Sequence, residues 1–186
     1  MPERPSKRLD LLKVALPRLT RVAILWHPGA FSEATTSTML NAAAAAARTL
    51  RMEAPLVRVD AADQLDSAFS AMMREPPGAL LTFQSSMFFT ERRRIVNFVV
   101  KHQLPTMFNA REYAELGGLM AYGANIADLF RRSATYVDRI LKGANPAHLP
   151  IEQPATFELV INLKAAKALG LTIPPTVLAR ADEVIH

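Results

Sequence analysis

Short apolar runs alternate with helix-length stretches through most of this chain, and that alternation limits the possible folds more than any other feature. The runs are RVAILW (Arg21 to Trp26), PLVRVD (Pro55 to Asp60), ALLTF (Ala79 to Phe83), LPTMFN (Leu104 to Asn109) and LMAYG (Leu119 to Gly123). Most are apolar throughout, as strands covered on both faces are. Strands regularly separated by helices form an open parallel sheet with right-handed crossovers. The expectation is therefore an α/β fold, a flavodoxin-like parallel sheet of about five strands flanked by helices.

The intervening stretches carry helical periodicity and helix punctuation. Leu9, Leu12 and Leu16 share one face ahead of Pro17. A helix from about Glu33 to Leu50 contains the alanine run Ala42 to Ala47, which lets it lie close to a sheet. Leu65, Phe69, Met72 and Met73 mark the inner side of the next, and Pro76, Pro77 and Gly78 stop it. Thr90 is placed to cap a helix whose Ile95, Phe98 and Val99 face inward. Asn125 is placed to cap another, with Asp128 three residues on, Leu129, Tyr136, Val137 and Ile140 inside, and Gly143 at its end. A proline-punctuated linker, ANPAHLPIEQPAT, then leads to a further strand, FELVIN, and a small helix, LKAAKALG.

Composition excludes several kinds of chemistry. With no cysteine there is no disulfide framework, thiol nucleophile or thiolate metal site. The net charge is +5, but the basic residues are spread out and the densest run is Arg92-Arg93-Arg94. Three consecutive helical residues point in three directions, so that run reads as a solvated face, and no nucleic-acid partner is expected. Pro2, Glu3, Arg4 and Pro5 do not open a secretory signal. No stretch approaches the roughly 20 apolar residues of a membrane span.

In open α/β sheets, ligands sit outside the carboxyl ends of the strands. Here those ends are HPG after the first run, QSSMF after the third and NAREY after the fourth. The glycine loops that cradle nucleotide phosphates and the GxSxG nucleophile turn are missing, and no two histidines stand at metal-ligand spacing. No cofactor, no metal and no covalent chemistry are therefore expected. His27 suits either the turn it forms with Pro28 and Gly29 or a polar contact to a ligand. Arg111 suits either an ion pair with Glu112 or Glu115 or a bidentate grip on a ligand carboxylate.

Nearly the whole chain carries a resemblance to one family. KRLDLLKVALPRLTRVAILWHPG, ALLTFQSSMFFTERRRIVNFVVKHQLPTMF, REYAELGGLMAYGANIADLFRRSATYVDRILKG and the tail PIEQPATFELVINLKAAKALGLTIPPTVLARADEVI resemble, in order, ABC-transporter substrate-binding proteins. These are the members with the type 1 periplasmic-binding fold that include tryptophan- and tyrosine-type uptake components. In them two flavodoxin-like lobes clamp a small ligand, and the chain crosses between lobes three times. The resemblance implies that this chain begins where the second lobe begins, without a leader and most of a first lobe. Residues 7–117 would form the binding lobe, 118–143 a strand and helix crossing toward the other lobe, and 144–186 the linker, last strand and closing helices.

It further implies a small-molecule ligand such as an amino acid, an ABC permease as partner and a periplasmic location, or a cytoplasmic one should Met1 be the native start. The cleft-facing positions it implies are Trp26, His27, Pro28, Gln84, Ser85, Ser86, Asn109 and Arg111, with Phe88 or Tyr122 able to add an aromatic wall. His27 stands where relatives often place asparagine. A lone lobe would bind no better than about millimolar, and its bare crossing segment, 118–143, would favour a homodimer. The alternative is a cytoplasmic effector-binding regulatory domain of the same fold.

Overall fold

A computed structural model of the chain describes residues 5–150 and 156–186. The elements run α1 (Pro5–Ala15), β1 (Val22–Trp26), α2 (Glu33–Thr49), β2 (Leu56–Arg58), α3 (Leu65–Met72), β3 (Ala79–Thr82), α4 (Ser86–Thr90), α5 (Arg92–Lys101) and β4 (Thr106–Phe108). They continue with α6 (Arg111–Glu115), β5 (Met120–Ala124), α7 (Ile126–Leu141), β6 (Phe157–Asn162), α8 (Leu163–Ala168), α9 (Pro175–Leu178) and β7 (Glu183–Ile185).

Strand side chains alternate between two apolar cores. Val22, Ile24, Leu81 and Met107 face α1, α2, α8 and α9, where they meet Leu9, Leu12, Met39, Ala43, Ala166 and Val177. Ala23, Leu25, Leu80 and Phe108 face the other layer and meet Leu65, Phe69, Phe88, Ile95, Val99 and Tyr113. Two-sided burial is the physical reason these strands lack a polar alternation.

The sheet has seven strands in the order β2-β1-β3-β4-β5-β6-β7. This extends the expected five in two ways. FELVIN joins the same sheet antiparallel to β5, with Ala124 opposite Phe157 and Met120 opposite Ile161. Glu183–Ile185 then adds a short strand parallel to β6. Three residues carry too little pattern to register as a strand in sequence; pairing with β6 defines them. Asn162 links β6 to the helix after it: its Oδ1 accepts from Ala165 N at 2.9 Å, and its Nδ2 donates to Ala114 O at 2.8 Å.

Helix punctuation is partly as expected. Asn125 Oδ1 accepts from Asp128 N at 2.9 Å, and Gly143 closes α7 at φ +94°. Thr90, by contrast, is the last residue of α4 and donates back to Ser86 O, so the helix expected to start there is two pieces broken at Glu91. The expected buried side of α7 is also corrected. No residue of α7 is buried, Val137 and Ile140 are exposed, and Phe130 and Leu141 are 74% and 82% exposed. The helix has the apolar stripe that the sequence indicates: Leu129 and Tyr136 on it are half-buried, with Tyr136 donating to Pro150 O at 2.8 Å, and the rest of it faces outward. No described helix is long and apolar enough to cross a membrane.

Candidate functional site

The carboxyl ends of β1, β3, β4 and β5 lie along one edge of the sheet, since these strands are parallel. The start of β6 reaches the same edge because that strand runs the other way. Strand order reverses between β1 and β3, the switch point where α/β sheets open a crevice. Neighbouring strands are about 4.8 Å apart, so Trp26 and Asn109, two strands apart, are separated by roughly 10 Å across the edge.

At the β1 end, Trp26 is half-buried, with the Arg58 guanidinium carbon 5.8 Å from its ring centroid. Arg58 is itself tied to Asp60 at 2.6 Å, and that hydrogen-bonded cation holds the Asp60 carboxyl below its ordinary range. His27 is turned inward: its Nδ1 lies 3.0 Å from Val59 O, its ring meets Phe88 edge-on, and its other side covers Gly29. Pro28 begins a single 3-10 turn to Ala30.

At the β3 end, Gln84 and Ser86 are exposed, while Ser85 is 5% exposed. Ser85 Oγ accepts from Phe88 N at 3.4 Å and caps α4. The expected exit loop is therefore a helix start, and Ser85 serves the backbone. Phe88 is fully buried beneath the edge, and Tyr122, half-buried, stacks on Phe157.

At the β4 end the chain presses hard against β5: a Cβ placed on Gly123 would collide with the Asn109 carbonyl oxygen. Arg111 follows, and its cation is already engaged. Nε lies 2.9 Å from Glu115, Nη2 lies 2.7 Å from Glu183, and Nη1 lies 3.6 Å from Glu158. Of its two expected partners Glu115 is present, and two carboxylates distant in sequence join it.

A hollow of about 300 Å³ opens here between α6 and α7, lined by Arg111, Glu112, Ala124, Asn125, Ile126, Ala127, Phe130 and Glu158. Glu158 is 8% exposed and receives Asn125 Nδ2 at 2.9 Å. Burial outweighs the nearby guanidinium and pushes its carboxyl above the ordinary range. Of the eight positions selected from the sequence, Arg111 alone lines this hollow. Glu158 was missed, although an acidic residue inside the apolar run FELVIN is a usable signal: a buried carboxylate needs partners. Glu183 could not be found from spacing, since it lies 72 residues from Arg111.

Four buried polar atoms along this edge have no hydrogen-bond partner: Trp26 Nε1, Thr82 Oγ1, Asn109 Oδ1 and Glu112 Oε2. Groups of three or more histidines or acids placed to hold a metal are absent among the described residues.

The profile of a protein family described as ABC transporter substrate binding protein matches residues 3–185. No curated protein matches the chain. Among solved structures it is similar to an ABC domain in complex with L-Trp from Streptococcus pneumonia, at 25% identity and TM-score 0.84, covering 98% of this chain and 62% of that one. A conserved domain protein from Vibrio cholerae is similar at 23% identity and TM-score 0.84, over 97% and 60% of the two chains. The ligand-free, open structure of a substrate-binding protein with adhesive properties from Clostridium difficile follows at 17% identity and TM-score 0.66, over 96% and 59%. The chain spans about three fifths of the length of each.

Proposed function

Because this chain belongs to the family of ABC transporter substrate-binding proteins, we propose that its sheet edge is one wall of a cleft that takes up a small solute and presents it to an ABC permease. The solute class is an amino acid or a related compound, a reading supported by the L-Trp held in the Streptococcus relative. The observation that carries the proposal is the set of four buried, unpartnered polar atoms on the ligand edge. Buried polar groups in folded proteins are nearly always bonded, so several orphans on one edge indicate a missing partner. Trp26, His27, Pro28, Gln84, Ser85, Ser86, Asn109 and Arg111 frame that edge. Most orient the wall through their loops, while Trp26 and Asn109 keep an atom for the solute.

Residues 7–117 act as the binding lobe, 118–143 as the crossing to a second wall, and 144–186 as the return. The exposed stripe of α7, with Phe130 and Leu141, belongs against that second lobe or, in the lone chain, against another copy. The protein works in the periplasm, as its family typically does.

Titrating the 186-residue chain with L-tryptophan and following its ¹⁵N–¹H spectrum tests this. The expected result is movement of the Trp26, Ser85 and Asn109 amides with a Kd of about 1 mM, the strength of a contact made by one wall of two. A micromolar Kd would remove the need for a second wall. Silence of every edge amide toward a panel of amino acids would remove the cleft.

A further inference from the structure

We infer that the outward face of α7 is a seam for the α7 of a second copy of this chain, laid antiparallel along it. This goes beyond the cleft reading and does not depend on it.

Spacing carries the inference first. Ala127, Phe130, Ala134, Val137 and Leu141 follow one another at intervals of three, four, three and four residues. That is the heptad rhythm by which two helices pair along a line. Each of these side chains is exposed. The half-buried Leu129 and Tyr136 lie to one side of the line, so the seam is separate from the side that Tyr136 ties to Pro150.

Direction follows from size and charge. In an antiparallel pair, Phe130 shares a layer with Leu141 of the second copy, and Ala134 shares one with Val137. Each alanine then meets a larger residue, and the two-fold axis repeats both layers. A parallel pair would set Phe130 on Phe130 and Ala134 on Ala134, a bulge beside a gap. Along the flank, the antiparallel register brings Arg131 opposite Asp138 of the second copy, and Asp138 opposite that copy's Arg131. A parallel pair would place Arg131 beside Ile126 and Asp138 beside Ser133, where neither meets a charge. Charges at these flanking positions set partner and orientation in paired helices. Arg131 and Asp138 are both exposed, and their contacts within the chain, to Asp128 at 3.4 Å and to Lys142 at 2.9 Å, are surface pairs of little worth.

The area sets the strength. With the exposed edges of Ile126 and Ile140, the seam offers about 500 Å² per copy, so pairing buries about 1,000 Å², the size of weak and reversible interfaces. The dimer is therefore concentration dependent, with a Kd of about 0.1 mM.

Sedimentation equilibrium of the full 186-residue chain, without solute, tests this. The parent should dimerise as its concentration approaches about 1 mM. Arg131→Glu and Asp138→Arg should each weaken the dimer about tenfold, because two attractive flank pairs become two repulsive ones. An equimolar mixture of the two variants should regain the parent's affinity, since every flank pair is again of opposite charge. A parent chain that stays monomeric leaves the face to a different occupant and overturns the inference. Single variants that dimerise like the parent, or a mixture that recovers nothing, overturn it as well.

Discussion

Arg111 Nη2 lies 2.7 Å from Glu183 Oε2, and the pair fastens the first residue of α6 to the first residue of β7. Through the same guanidinium, the loop after β4 also holds Glu158 at the start of β6. One side chain thus ties the exits of parallel strands to the two strands added at the far edge.

Replacing it has a calculable consequence. The pairs with Glu115 and Glu183 are partly exposed, and such pairs are worth about 0–1 kcal/mol each. Glu158, at 11% side-chain exposure, is different, because removing the cation strands a buried carboxylate. Arg111→Ala should lower stability by about 2 kcal/mol, less than a fully buried pair because the guanidinium is a third exposed. Adding Glu158→Gln should restore part of it. Urea unfolding followed by circular dichroism reads both; equal losses in single and double variants would show that the buried carboxylate is not the cause.

Glu158 also sets a pH dependence. Its carboxyl titrates higher in the folded chain than in an unfolded one, so between those two ranges the folded state holds more protons. Its contribution to stability therefore falls as pH rises through that window. Glu158→Gln removes this slope. Relative to the parent, the variant should gain stability on going from pH 4 to pH 7, and a difference that stays flat or declines would contradict the assignment.

Gly123→Ala should be among the most damaging single changes. Its Cβ would meet the Asn109 carbonyl, a backbone atom that cannot swing aside. Overpacking of this kind costs about 3 kcal/mol, and the loop after β4 would be pushed off β5. Thermal unfolding measures the loss. Disturbed Asn109 and Arg111 amides in a still-folded variant would locate it, and a variant as stable as the parent would refute the close approach.

The stripe on α7 gives an opposite expectation. Phe130→Lys with Leu141→Lys alters side chains already in water, so unfolding free energy should change by no more than about 0.5 kcal/mol. Self-association through the stripe should fall sharply in light scattering. A parent chain that remains monomeric at high concentration would show that a second copy does not cover this face.

Residues close in sequence carried much of this fold to the reader. Val22–Leu25 and Ala79–Leu81 are buried without a polar break because helices cover both faces, and that reading requires no coordinates. Asn125 and Gly143 announced the ends of α7 by local chemistry, which acts within a turn or two of chain. That the exits of the parallel strands share one edge follows from alternation and handedness, so the sequence alone determined which loops lie together.

Tertiary structure decided what those side chains touch. His27 turned to Val59, Ser85 turned to its own helix, and Arg111 was claimed by Glu183 and Glu158. Each choice depends on a partner brought in from elsewhere along the chain or on whether a loop becomes a helix, and neither is written in local spacing. The burial of α7 was likewise undecidable from its stripe, because periodicity reports which face is apolar and only packing reports what lies against it.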